Sequence, residues 1–169
     1  MKEFVKQMED LMFLRKEVTT VTMCGKIKYE EDMRKWAALL EKGAGWNMLL
    51  PIDIYKLTGY DPRFEESFMD KLRAIHYTKI KLSDAILVYV DENYEFLDSE
   101  DVMSEILAAL SFEKEIYFTK SIRYDLIPKL NKFINESVGV NGKRFDVKLY
   151  KYIGIDKFIF YRLDYLIRL

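Results

Sequence analysis

The chain is predicted to fold as a three-layer α/β domain around a parallel central sheet. β-branched, apolar runs alternate with stretches that repeat apolar residues at helical spacing. Two nearly continuous apolar runs, AILVYV (Ala85–Val90) and EIYFTK (Glu115–Lys120), flank one helix-length connection. That pattern is a βαβ unit, because an antiparallel hairpin between two such strands would need only a tight turn. Right-handed crossovers between successive strands then make the sheet parallel.

The elements follow in order. Residues 2–16 place Phe4, Val5, Met8, Leu11 and Met12 at helical spacing, an amphipathic helix for the core or a partner. VTTVTMCG (Val18–Gly25) is the first strand, ended by Gly25, where a sharp turn into a helix calls for positive φ. A helix over about Tyr29–Lys42 buries Met33, Trp36, Ala37, Leu39 and Leu40 and closes on KGAG. WNMLLPI (Trp46–Ile52) is the second strand. Residues 53–63 read as an irregular segment with Gly59 and Pro62 as breakers, placed at the C-terminal edge of the sheet to cover a pocket. A helix over Phe64–Leu82 leads into the central βαβ unit. Another follows over Ile122–Ser137, with Pro128 disturbing its first turn, and VGVNGKR (Val138–Arg144) is a turn. The remainder alternates as a strand through Tyr152 and a second after Gly154, with helix an alternative for the last residues.

Composition bounds the function. At 169 residues the chain is expected to form one domain, residues 1–169, with a net charge of −1. Its parts are an N-terminal helix (1–17), a core (18–120) and a C-terminal extension (121–169). The charge supplies no general attraction to a nucleic acid polymer or an anionic membrane. No apolar run approaches the roughly 20 residues needed to span a bilayer, and the charged N-terminus does not resemble a signal peptide. A cytoplasmic location is the default. The single cysteine, Cys24, excludes an internal disulfide and a multi-cysteine metal site, and the single histidine, His76, excludes a histidine-based metal cluster.

Candidate chemistry gathers where strands end and helices begin. Asp98 or Ser99 is a plausible N-cap for the helix after the third strand, and Asp98, Asp101 and Glu105 share one stripe of it. They form either a solvated, capping face or the edge of a pocket beside Asp91, Asn93 and Tyr94. In the second case Glu105, partly desolvated near other carboxylates, is a nucleophile or general base. Gly25 with Lys26 and Lys28, ahead of a helix N-terminus, either binds a phosphate or is a turn with solvated lysines. Cys24 is read as packing without an accompanying base, and His76 as a packed histidine on the inner face of its helix.

The segments TMCGKIKYEEDMRKWAALLEKGAGWNMLLPI, FMDKLRAIHYTKIKLSDAILVYV and SEILAAL–EKEIYF resemble the nucleoside 2-deoxyribosyltransferase-like superfamily. The likeness runs from Val18 to Lys120 and is strongest in IHYTKIKLSDAILVYV. It implies a flavodoxin-like (Rossmann-like) fold, assembly as a homodimer or larger homo-oligomer, and cleavage or transfer of the N-glycosidic bond of a nucleoside or nucleotide. It further implies that Glu105 attacks the anomeric carbon, with Asp98 or Asp101 orienting base or sugar. Gly25, Lys26 and Lys28 fall on the family's first-loop positions, Asp84 on an acidic position at the third strand, and Asp91, Asn93 and Tyr94 beside the substrate. The chemistry calls for no cofactor and no metal. Two departures stand out: DENYEFLDSED lacks the glycine of the family's loop, and Lys26 replaces a small hydroxyl residue. They keep two alternatives open, a nucleotide-binding module without catalysis and an assembly protein that uses its aromatic C-terminal segment.

Overall fold

The computed structural model describes residues 1–14, 18–61, 63, 65–120, 122–138, 143–150 and 160–167. Pro62, Gly154 and most of the turn expected at residues 138–144 lie outside them. Six strands form one sheet in the order β2-β1-β3-β4-β6-β5. They are β1 (Thr20–Cys24), β2 (Asn47–Leu49), β3 (Ala85–Val88), β4 (Glu115–Phe118), β5 (Lys143–Tyr150) and β6 (Phe160–Ile167). The helices are α1 (Lys2–Leu14), α2 (Glu30–Ala44), α3 (Ile54–Thr58), α4 (Glu66–Leu82), α5 (Glu100–Ser111) and α6 (Ile127–Val138).

The pairs β2–β1, β1–β3 and β3–β4 are parallel, as the crossovers predict, and the architecture is that of a three-layer flavodoxin-like fold. The four central strands form the expected parallel sheet, and the two C-terminal strands extend it antiparallel: β6 pairs with β4, and β5 with β6. Only nine residues lie between Tyr150 and Phe160, fewer than the dozen or more a parallel crossover needs, which agrees with the antiparallel pairing of β5 and β6. Residues 160–167 are therefore strand rather than helix.

Alternation along β1 divides the core. Val21 and Met23 point to one face and pack with Met48, Ala85 and Leu87 under Met33, Ala37 and Leu40 of α2. Cys24, Ile86, Val88, Ile116 and Phe118 point to the other face, under Ile80 of α4, Ile106 of α5 and Leu130 of α6. Each fully buried aliphatic side chain in these layers contributes about 1.5–3 kcal/mol. A buried hydroxyl pair, Thr22 Oγ1 and Ser83 Oγ at 2.6 Å, ties the end of α4 to β1.

Local chemistry sets the helix ends. Gly45 takes φ 65° and its N–H reaches Leu40 O, closing α2 as the KGAG signal predicts. The segment after β2 is less irregular than expected: Asp53 accepts from Lys56 N and caps α3, which Gly59 ends at φ 75°. Pro128 sits in the first turn of α6, where its missing N–H costs nothing. On α1 the apolar residues Phe4, Val5 and Met8 are 64%, 49% and 44% exposed, so that face does not pack on the core. Among the described residues no helix is long and apolar enough to cross a membrane.

Candidate functional site at the switch point between β1 and β3

From β1 the chain crosses to β2 on one side, and from β3 to β4 on the other, so the strand order reverses between β1 and β3. Ligand sites in open α/β sheets lie beyond the strand ends at this point. Cys24, paired with Val88, is the last residue of β1 there. Gly25 follows without a positive φ, contrary to expectation, and another constraint explains it. A Cβ at this position would lie 2.7 Å from Met33 Sδ and 3.1 Å from Tyr89 Cβ. Close packing of α2 on the sheet, rather than backbone conformation, requires the glycine.

Two helices close the site from the other face. Ser99 is the N-cap of α5, its hydroxyl accepting from Val102 N at 3.3 Å. From that start Glu105 falls on the side of α5 that meets α4. There His76 Nε2 lies 3.2 Å from Glu105 Oε1, each side chain 14% exposed. Cys24 Sγ lies 3.8 Å from the same Nε2. One ligating atom from each of Cys24, His76 and Glu105 falls within 4.8 Å of the others. Glu105 Oε2 is buried and has no hydrogen-bond partner. Burial, and then the Glu105 carboxylate, push the Cys24 thiol well above its ordinary pKa of 9.0.

His76 and Glu105 stand in the wall of a cavity of about 640 Å³, in the range of small-molecule sites. Its other walls are Gly25–Lys28, the segment Pro51–Tyr55 with Asp61 and Arg63, the α4 face at Met69, Leu72 and Arg73, and Ser99, Asp101 and Ser104 of α5. The segment expected to cover a pocket thus forms one side of it. The cations around the cavity are engaged. Lys28 and Lys26 reach Glu95 Oε2 at 2.5 and 3.5 Å, and Tyr29 donates to the same oxygen at 3.0 Å. The hydrogen bonds from Lys28 and Tyr29 hold Glu95 below the usual carboxylate pKa. Arg73 spans Asp70 and Asp101, each at 3.4 Å, and the Arg63 guanidinium lowers the pKa of Asp61. Lys79 Nζ donates to Leu50 O at 2.9 Å, and burial lowers its pKa.

Of the residues singled out in the sequence, Glu105, Asp101, Gly25, Lys26 and Lys28 meet at this cavity. Asp98, Asp84, Asp91, Asn93 and Tyr94 are not in its lining. Asp98 is exposed and pairs with Lys129 at 2.8 Å. Asp84 lies at the opposite end of β3 and accepts from Thr20 N at 2.8 Å. Asp91 is buried and holds its own loop, accepting from Asn93 N and Glu95 N at 2.9 and 2.8 Å. Asn93 is exposed, while Tyr94 is buried at φ 54° with Lys120 and Arg123 over its ring.

The packed readings of Cys24 and His76 are incomplete, because the fold sets them against Glu105. Cys24 and His76 are 52 positions apart, and no local motif joins them. Counting cysteines and histidines excludes a multi-cysteine site and a histidine-based cluster, and a mixed Cys–His–Glu set escapes both counts. The fold and cavity define a flavodoxin-like α/β protein with a carboxylate–imidazole–thiol cluster at the switch point. No protein-family model matches the chain, and no curated protein matches it.

Proposed function

We propose that the protein is an N-glycosidase or nucleoside 2-deoxyribosyltransferase-like enzyme acting on a nucleoside or nucleotide, with Glu105 as the nucleophile. The observation that carries this reading is Glu105 itself: one oxygen is held by His76, the other is unpartnered, and the side chain opens on a cavity of about 640 Å³. In the reaction the C–N bond breaks with its electron pair leaving on the base, while a Glu105 oxygen closes on the anomeric carbon. Water then releases the sugar, or a second base accepts it. The carboxylate also stabilises oxocarbenium character as it develops. Asp101 and Ser104, on the same face of α5, are placed to contact sugar or base.

The lysines give a phosphate little support. Lys26 and Lys28 are committed to Glu95, and the first turn of α2 carries Glu30, Glu31 and Asp32, which already occupy the favourable end of the helix dipole. Arg63 and Arg73 are likewise paired, with Asp61 and with Asp70 and Asp101, so the reading favours a nucleoside over a nucleotide. Assembly as a homodimer or larger, and a cytoplasmic location, belong to the same proposal. The exposed Phe4, Val5 and Met8 on α1 suit a subunit contact.

The test is base release. Purified protein and its Glu105→Gln variant are incubated with nucleosides, deoxynucleosides, their 5′-monophosphates and NAD, and free base is followed chromatographically. Release by the wild type alone is expected; equal release by both removes Glu105 from the role.

The loop after β3 favours a second reading, a nucleotide-binding module without catalysis. Its N–H groups at Asn93 and Glu95 are taken by Asp91, so they are not free to approach a ligand. Ligand-dependent thermal stabilisation without base release distinguishes this reading.

A further inference from the structure

We propose that Cys24, His76 and Glu105 form a binding site for a thiophilic divalent cation of the Zn2+ class. The three donors are a sulfur, an imidazole nitrogen and a carboxylate oxygen, brought together from β1, α4 and α5. Zn2+ binds such groups at about 2.3 Å for sulfur and about 2.0–2.2 Å for nitrogen and oxygen, so tetrahedral ligands stand roughly 3.3–3.6 Å from one another. The observed separations, 3.8 Å for Cys24 Sγ to His76 Nε2 and 3.2 Å for His76 Nε2 to Glu105 Oε1, bracket that range. The third pair, Cys24 and Glu105, lies within 4.8 Å, so closing three ligands on one ion requires side-chain movement there.

A second observation points to a ligand. Glu105 Oε2 is buried and has no hydrogen-bond partner, an expensive state for a carboxylate oxygen. A cation bound by Glu105 removes that cost. His76 and Glu105 both line the cavity, so three protein ligands leave a fourth position facing it, the pattern of an open rather than a closed zinc site. The donor set also selects the metal. Mg2+ and Ca2+ require octahedral or larger shells of oxygen, whereas a mixed S, N, O set suits Zn2+ or Co2+.

Charge balances as well. The Cys24 thiol gives its proton to solvent buffer as the metal–sulfur bond forms, and thiolate plus carboxylate neutralise the dication. Burial and the Glu105 carboxylate hold the thiol protonated without the ion, and the charge of the metal reverses that preference.

Co2+ is the probe. Chelator-treated protein is titrated with Co2+ and the absorption spectrum recorded, followed by competition with Zn2+ and with excess Mg2+. The expected result is one Co2+ per chain with a thiolate-to-cobalt charge-transfer band, displaced by Zn2+ and untouched by Mg2+. Cys24→Ser abolishes the band and weakens Zn2+ binding by about tenfold or more, the least expected even for loss of a partner outside the coordination shell. A wild-type spectrum without the thiolate band overturns the site and depends on no variant folding. Equal Zn2+ affinity in wild type and a folded Cys24→Ser overturns it too. The inference stands apart from the glycosidic reading, since the cobalt spectrum reports the cluster whatever Glu105 does. Where that reading holds, Zn2+ engages the nucleophile and inhibits base release in the wild type but not in Cys24→Ser.

Discussion

His76 and Glu105 meet across the α4–α5 seam with Nε2 3.2 Å from Oε1, and Cys24 Sγ stands 3.8 Å from the same nitrogen. The imidazole therefore fixes one carboxylate oxygen while the other faces no partner. For the nucleophile role proposed above such fixing helps, because a carboxylate that is already ordered need not be ordered during the reaction.

Where the proposed glycosidic reading holds, His76 is a positioning residue, and its loss acts on kcat. A charge-assisted hydrogen bond, to which the 3.2 Å contact would tighten in the reacting complex, is worth about 1.5–3 kcal/mol, so His76→Ala lowers kcat roughly ten- to a hundredfold with KM little changed. His76→Gln, whose amide can still donate, restores part of it. Steady-state kinetics on whichever substrate the wild type cleaves separates the two constants, and thermal melts check folding. Equal loss in both variants, or a change confined to KM, removes the positioning role.

The Cys24 thiol links stability to alkaline pH. Its pKa in the folded protein is raised well above 9.0, first by burial and then by Glu105. Between the unfolded and folded values the unfolded chain has lost the proton that the native state retains, so stability falls with rising pH. The contribution is complete below about pH 9 and is lost above it. Tyr89, raised to about 12 mainly by burial, adds to the same decline at higher pH. In chelator-treated, metal-free protein, Cys24→Ala is expected to flatten the stability profile between about pH 9 and 10 relative to wild type, measured by urea unfolding at each pH. Parallel profiles would sink the assignment.

Gly25 is held by packing. Gly25→Ala places a methyl 2.7 Å from Met33 Sδ and 3.1 Å from Tyr89 Cβ. The thioether is flexible and can move, whereas Tyr89 Cβ is fixed to the backbone after β3. Overpacking of this kind costs about 1–3 kcal/mol. Because the space and not the φ is the constraint, combining it with Met33→Ala makes the two changes cost less than their sum. A double-mutant cycle in urea reads that coupling, and strict additivity rules out the clash.

The parallel core was legible because its signals are local. Apolar runs such as Ala85–Val90, the KGAG stop and the acid-rich start of α5 are each read within a few residues. The hairpin at β5 and β6 was less so, since alternation alone does not say whether a strand returns parallel or antiparallel. In the site, Glu105 could be found through its helix and Asp101 by its spacing from it. The cluster could not: Cys24 and His76 look like core residues in their own elements, and only the crossover of α4 brings them together. Asp91 illustrates the opposite failure. A loop acid beside a strand end looks like a binding group, yet here it satisfies the backbone of its own turn.

The end of α5 offers a stabilising change. Phe112 is its C-cap, and Glu113 follows at φ 57°. Glu113 N donates to Leu110 O at 3.0 Å and Lys114 N to Ala109 O at 2.8 Å, the paired bonds of a Schellman motif. The left-handed position in that motif is usually glycine, because a side chain there costs about 1–2 kcal/mol. Glu113 is exposed, so replacing it gives up little packing. Glycine also gains freedom in the unfolded chain, which offsets part of the benefit. Glu113→Gly is therefore expected to raise stability by about 0.5–1 kcal/mol, read as a higher urea midpoint at unchanged m-value. Glu113→Ala keeps the strain and removes the charge, so it should leave the midpoint near wild type. A gain in the alanine variant equal to that in the glycine variant would assign the effect to charge, and a loss in the glycine variant would refute the strain.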